Sequence, residues 1–211
     1  MAGDRGAPGR FISFEGIDGS GKSTQARALA QRLQQDGRAV TLTREPGGST
    51  GAEEIRRLLV EGPPDRWSPE TEILLFTAAR RDHVEKLIQP ALDAGQTVIC
   101  DRFADSTRVY QGVARADLRG VVDDLHQRMI GLEPDLTLII DMDPDQALSR
   151  GLARDSGEDR FEDFGADFQR HLRQGFLALA ESQPTRCVVI DGMADEDTVA
   201  TRVWQAVEAR T

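Results

Sequence analysis

Apolar residues gather in five short runs, and longer stretches of helical period separate them. Strands are expected at 11–15, 39–43, 97–101, 136–141 and 187–191, each rich in β-branched or aromatic residues and closed by turn-forming ones. Val98-Ile99-Cys100 and Leu136-Thr137-Leu138-Ile139-Ile140 show no polar alternation, as in strands covered on both faces. Helical period recurs near 22–36, 51–61, 69–94, 117–131, 144–154, 163–182 and 195–209. This alternation predicts an α/β fold, a five-stranded parallel sheet with helices on both faces. Ligands of such sheets bind beyond the carboxyl ends of the strands, so the residues just after each strand carry the functional argument. Residues 1–10 are Gly, Pro and charge, expected to form a flexible leader before a single domain over 11–211.

Composition removes several functions. The 211 residues carry 26 Lys and Arg against 36 Asp and Glu, a net charge of −10. Such a chain has no field to concentrate a nucleic acid polymer or an anionic membrane, so any phosphate it handles must be gripped locally. No apolar stretch approaches the roughly 20 residues that span a bilayer, and the N-terminus lacks an apolar signal core. Cys100 and Cys187 sit in apolar runs without metal-ligand spacing, which fits reduced thiols and a cytoplasmic protein. Only two of the cations are lysines, Lys22 and Lys86.

Directly after the first expected strand comes Gly16-Ile17-Asp18-Gly19-Ser20-Gly21-Lys22-Ser23, a full G-x-x-x-x-G-K-[ST] match, and a helical pattern follows from Thr24. Backbone N–H groups of such a loop curl around a β-phosphate, and the helix N-terminus adds partial positive charge. Lys22 supplies a point charge to the β/γ oxygens, and the Ser23 hydroxyl can ligate Mg²⁺. In a chain that otherwise prefers arginine, a lysine here indicates a place for a compact ammonium rather than a fork. The loop signals a nucleoside triphosphate but not the reaction.

Three further segments narrow the chemistry. Arg44-Glu45-Pro46-Gly47-Gly48 follows the second strand, with Arg56 soon after; Asp101-Arg102-Phe103-Ala104-Asp105-Ser106-Thr107-Arg108-Val109-Tyr110-Gln111-Gly112 follows the third. Between them Phe76 and Arg80 stand four apart on one helix face. Four arginines beyond strand ends, with an aromatic one turn before one of them, suit a second substrate that is anionic and carries a flat ring.

These segments resemble the bacterial thymidylate kinases, P-loop enzymes that phosphorylate dTMP to dTDP with ATP and Mg²⁺. The resemblance is carried by F-E-G-I-D-G-S-G-K-S-T, T-R-E-P-G-G, L-F-T-A-A-R, D-R-F-A-D-S-T-R-V-Y-Q-G and P-D-L-T-L-I-I-D, and runs from about Phe11 to the last helix. It implies that Arg44 and Arg102 hold the dTMP phosphate, with Arg56 near the same end. Phe76 would stack on thymine, Arg80 donate to its O4, Gln111 bond its N3–H and Thr107 lie beside the base. Tyr110 would pack where a ribose carries its 2′-hydroxyl. Asp18 would reach the sugar 3′-hydroxyl or the metal, and Asp101 would partner Mg²⁺ or its waters. Two positions depart from the family pattern: Phe103 replaces the commoner Tyr or His, and Gly19 stands where one branch has an arginine.

Relatives without that arginine carry basic residues on a short mobile lid, expected here at about 149–162 with Arg150, Arg154 and Arg160. Phosphoryl transfer is mostly positioning and charge stabilisation, so an arginine that arrives with closure can neutralise the transferring group after water has been excluded. The resemblance also implies a homodimer joined through the helices near 69–94 and 117–131. An arginine donor at pyrimidine position 4 favours thymine and uracil over cytosine. Gln111, able to flip its amide, is expected to discriminate less. The alternatives are another nucleotide kinase of this fold and an NTP-driven regulatory ATPase; the chain contains no asparagine, so the N-K-x-D pattern of switch GTPases is absent. His83, His126 and His171 read as structural, and Trp67 and Trp204 as packing residues.

Overall fold

The computed structural model describes residues 9–63, 65–115, 117–152 and 165–210. Five parallel strands form one sheet in the order β2-β3-β1-β4-β5: β1 Arg10–Glu15, β2 Val40–Arg44, β3 Thr97–Asp101, β4 Leu136–Asp141 and β5 Cys187–Asp191. Each lies within a residue of its expected bounds. Gly9 and Arg10 already belong to the domain: Arg10 opens β1, and the Gly9 amide donates to Leu92 O at 3.1 Å. Strand β1 lies between β3 and β4, so the chain order reverses at its carboxyl end, where a crevice opens.

Alternation along β1 assigns its two faces. Ile12 and Phe14 join Leu138 and Ile140 of β4 under α1 (Lys22–Gln35) and α9 (Glu196–Glu208), with Leu29, Leu33, Val199 and Val203 closing that core. Phe11, Ser13 and Glu15 share the opposite face by the strand period of two. On that side Phe11 packs with Phe103 and Ala104, while Ile139 packs with Leu172 and Phe176 of α8 (Gly165–Ser182). Helix α2 spans Thr50–Val60, α6 Arg119–Met129 and α7 Pro144–Leu152.

Two segments differ from the sequence expectation. The helix expected over 69–94 is built of α3 (Pro69–His83), a wider π-helical turn (Val84–Ile88) and α4 (Gln89–Asp93). Pro90 lacks an N–H and crowds the carbonyl four residues back, which a widened turn relieves. The polar segment after β3 is a helix, α5 (Ala104–Val109), continued by a second π-helical turn (Tyr110–Arg115). Between the buried Ala104 and Val109 its buried residues are the polar Asp105, Thr107 and Arg108, so no apolar period marks the helix. Asp105, 1% exposed, accepts from Arg108 at 2.8 Å and from Arg186 at 2.9 Å, and Arg108 reaches Asp123 and Glu133 of neighbouring segments. This charge network ties α5 to α6 and to the start of β5, and so fixes the helix that walls the crevice.

Candidate active site

The phosphate loop joins β1 to α1. Gly21 precedes the helix at φ +95, so the first-turn amides of α1 face the crevice without internal partners. Lys22 is buried and donates from Nζ to Ile17 O at 2.7 Å, curling the loop around its own ammonium. Burial, reinforced by the Arg102 guanidinium, pulls the Lys22 pKa down to about 8 against the attraction of Asp18, Asp101 and Glu15. The Ser20 hydroxyl is buried without a partner, as is Asp101 Oδ1 at the end of β3. Ser23 is half-buried in the first turn of α1.

Two cavities meet at this loop. One is lined by Gly19, Ser20, Gly21 and Thr24, and on its other side by Gly192 and Ala194 from the segment after β5. That segment was not among the residues expected from sequence, although a glycine just beyond a strand end was available as a signal. The second cavity is lined by Asp18, Arg56, Phe76, Arg102, Tyr110 and Gln111, with Glu45, Pro46, Ser106 and Thr107 completing the wall. Asp18 belongs to both the loop and the second cavity. Tyr110 donates to Asp18 Oδ2 at 2.8 Å, and Arg102 bonds both Asp18 and the Tyr110 oxygen. Burial works against the Asp18 charge, but the Arg102 and Lys22 cations outweigh it and hold its carboxyl below the usual range. Tyr110 is pushed well above the usual phenol range, by burial first, and stays a neutral donor.

This arrangement is a triphosphate loop sharing a carboxylate with a neighbouring aromatic and cationic cavity. The sequence model of the thymidylate kinases matches residues 14–203. A thymidylate kinase of Dinoroseobacter shibae is 72% identical over 196 residues, covering 93% of this chain and 95% of the relative. One from Caulobacter vibrioides is 51% identical, with 96% and 97% coverage. The solved thymidylate kinase of Ehrlichia chaffeensis shares 37% identity at a TM-score of 0.76, covering 95% of this chain and 99% of that one. The chain belongs to the thymidylate kinase family.

Within this thymidylate kinase fold the four crevice arginines separate. Arg102 and Arg56 line the second cavity, and Arg56 also donates to Pro46 O. Arg44 ends β2 at the sheet edge, with its side chain 54% exposed and paired to Glu53 at 3.3 Å, away from the cavity wall. Arg80 lies one layer behind the wall, donating to Glu45 Oε2 at 2.7 Å and to Thr107 Oγ1 at 2.9 Å. Thr107, on the wall, therefore has its oxygen engaged by a cation and its hydrogen left to donate elsewhere. Phe103, the departure from the family pattern, is 1% exposed and meets Phe11 edge-to-face at 4.8 Å, so it serves the core.

The expectation that the Gln111 amide flips freely is corrected by Glu72. Gln111 Nε2 donates to Glu72 Oε2 at 3.0 Å, with Glu72 fully buried. Turning the amide over would set two acceptor oxygens against each other, so its nitrogen is committed to Glu72 and its oxygen, which has no partner, is left as an acceptor. Glu72, Glu45, Glu15 and His83 were not predicted as site residues. His83 read as structural, and it is: fully buried, it contacts Thr43 Oγ1 at 2.8 Å and Glu45 Oε1 at 3.2 Å. Arg154 and Arg160 lie outside the described residues; Arg150 falls on α7, whose Ala147 carbonyl abuts Gly19.

Proposed function

We propose that the chain transfers the γ-phosphoryl group of ATP to dTMP, giving dTDP and ADP for dTTP synthesis. The observation that carries this reading is the second cavity, lined by the aromatic Phe76 and Tyr110 and the cationic Arg56 and Arg102, which shares Asp18 with the phosphate loop. ATP lies with its β/γ-phosphates in the loop and its base side in the cavity between the loop and the segment after β5. Lys22 exchanges its contact with Ile17 for phosphate oxygens. In the second cavity thymine stacks on Phe76, with N3–H toward Gln111 and a carbonyl toward the donor set of Thr107 and Arg80. The acceptor phosphate lies toward Arg102 and Arg56. Tyr110 and Asp18 flank the sugar, which disfavours a ribose.

Little covalent chemistry is asked of the protein, so the rate comes from alignment and charge. Arg102 is buried, and despite that burial Tyr110 and the carboxylates around it keep its pKa raised, so its charge is always present. Asp101, with its unpartnered buried Oδ1, and Ser23 suit a hydrated Mg²⁺ beside Lys22. Bound there, Mg²⁺ would neutralise phosphate charge and fix its geometry. On this reading Arg150, Arg154 and Arg160 would supply further positive charge to the transferring group, a role that the contact of α7 with Gly19 supports. Exposed Leu74 on α3, with Val121 and Met129 on α6, supports a homodimer through those helices. No described helix is long and apolar enough to cross a membrane, and the two free cysteines are buried, both of which suit a cytoplasmic enzyme.

A coupled ADP-release assay across dTMP, dUMP, dCMP, dGMP and no acceptor tests the reading. Turnover with dTMP, weak turnover with dUMP and none without acceptor is expected. Equal turnover in the absence of acceptor would make the chain an ATPase, and preference for dGMP a different nucleotide kinase.

A further inference from the structure

We propose that Glu15 is a positioning residue that aims Arg102 at the acceptor phosphate, acting through Ser106 and the Phe103 amide. The inference rests on the reading that Arg102 holds that phosphate. Glu15 closes β1 on the face under α5 and is 0% exposed. Each of its oxygens has a partner: Oε1 accepts from Phe103 N at 2.8 Å, and Oε2 accepts from Ser106 Oγ at 2.6 Å. The two partners stand on either side of an unusual backbone. Arg102 has φ +69, the one positive value at a non-glycine among the described residues. A side chain disfavours that conformation, which persists only where neighbours impose it. Here the Arg102 amide is held by Phe14 O at 2.9 Å, and the next amide is held by Glu15.

Ser106 carries the same constraint to the guanidinium. Its hydrogen is committed to Glu15, so its lone pairs face Arg102, whose Nη1 donates to it at 2.9 Å. Nη1 also reaches Gly16 O at 3.2 Å, while Nη2 takes Asp18 and Tyr110. Glu15 thus fixes both the backbone that projects Arg102 and one edge of its fork. Burial, and then the neighbouring Asp105, push the Glu15 pKa up to about 7 against these hydrogen bonds and the Arg102 charge. A carboxylate kept in so costly a place, and bonded among the described residues to groups that hold Arg102, is consistent with this role.

The test compares dTMP with thymidine, which lacks the phosphate, by calorimetry on wild type, Glu15→Gln and Ser106→Ala, each with and without Arg102→Ala. Melting temperatures are followed in parallel. Both single substitutions are expected to weaken dTMP binding about tenfold more than thymidine binding, with no further loss of that preference once Arg102 is gone. Equal weakening of both ligands, unchanged dTMP binding, or an undiminished loss in the Arg102→Ala background overturns the inference. If Glu15→Gln does not fold, Ser106→Ala alone decides, since it cuts the link to the guanidinium but keeps the bond to Phe103. If Arg102→Ala itself spares the preference for dTMP over thymidine, the reading of Arg102 has failed, an outcome distinct from failure of the Glu15 link.

Discussion

Gly19→Ala places a methyl group where the phosphate loop meets α7, and its cost can be worked from the structure. Gly19 sits at φ +77, and a Cβ built there lies 2.0 Å from Ala147 O and 2.7 Å from its carbon. The left-handed backbone alone costs an alanine about 1 kcal/mol, or a melting shift of about 2–4 °C in a domain of this size. The contact costs more in function, because a carbon and an oxygen settle near 3.3 Å or beyond, so loop and helix must part by about 1 Å. The helix cannot bend away cheaply, since Ala147 N is bonded to Asp143 O at 2.9 Å in its first turn. Misplacement of about 1 Å in a transfer site costs on the order of 100-fold in rate. Steady-state assays should therefore show kcat down by about that factor with a small loss of stability. Gly37→Ala is the control: Gly37, in the turn after α1, is at φ +78, but nothing lies within 4 Å of its Cβ position. It should carry the backbone cost with a much smaller loss of kcat. A Gly19→Ala enzyme within about threefold of wild type, or no worse than Gly37→Ala, would refute the argument.

Three further outcomes are expected. Lys22 titrates at about 8 without ligand, and triphosphate needs the charged form, so the KM for ATP should be flat below pH 7.5 and climb toward tenfold per unit above 8; a flat profile to pH 9 contradicts this. Glu133, despite the raising effect of burial, is held below the usual range by hydrogen bonds from His126 and Arg108, so its stabilisation is present above the unfolded carboxyl pKa and lost as pH falls. Its side chain is 43% exposed, so Glu133→Gln should cost on the order of 1 kcal/mol in denaturant titrations at pH 7 after screening, with the difference shrinking as pH falls below the unfolded carboxyl value of 4.5. With Gln111 locked by Glu72, dCMP meets an acceptor at its own acceptor N3 and should be nearly inert; Glu72→Gln frees the amide and should raise dCMP relative to dTMP by about tenfold. An unchanged ratio in that variant would show that Glu72 does not set the amide.

The sheet was legible because strands buried on both faces read as nearly unbroken apolar runs, as Val98–Cys100 and, apart from Thr137, Leu136–Ile140 do. Helix α5 was not, since besides Ala104 and Val109 it buries Asp105, Thr107 and Arg108, whose partners come from α3, α6 and the segment before β5. Local periodicity records no such pairing. The phosphate loop was plain because its chemistry is contiguous. Arg44 and Arg102 look equivalent in sequence, each at the end of a strand. Their fates differ because β2 is an edge strand and leaves Arg44 in solvent, whereas β3 adjoins β1 and turns Arg102 into the crevice. Glu15, Glu45 and Glu72 were passed over for a related reason: they hold other side chains in place, and that work depends on tertiary proximity rather than spacing.

The most direct test of the account is a single turnover with ATP labelled at the γ-phosphate, with enzyme in excess over ATP and dTMP saturating. The label should appear in dTDP at the rate ADP forms, and no label should leave ATP when dTMP is omitted. Label released as inorganic phosphate at the same rate with or without dTMP would contradict the proposed transfer.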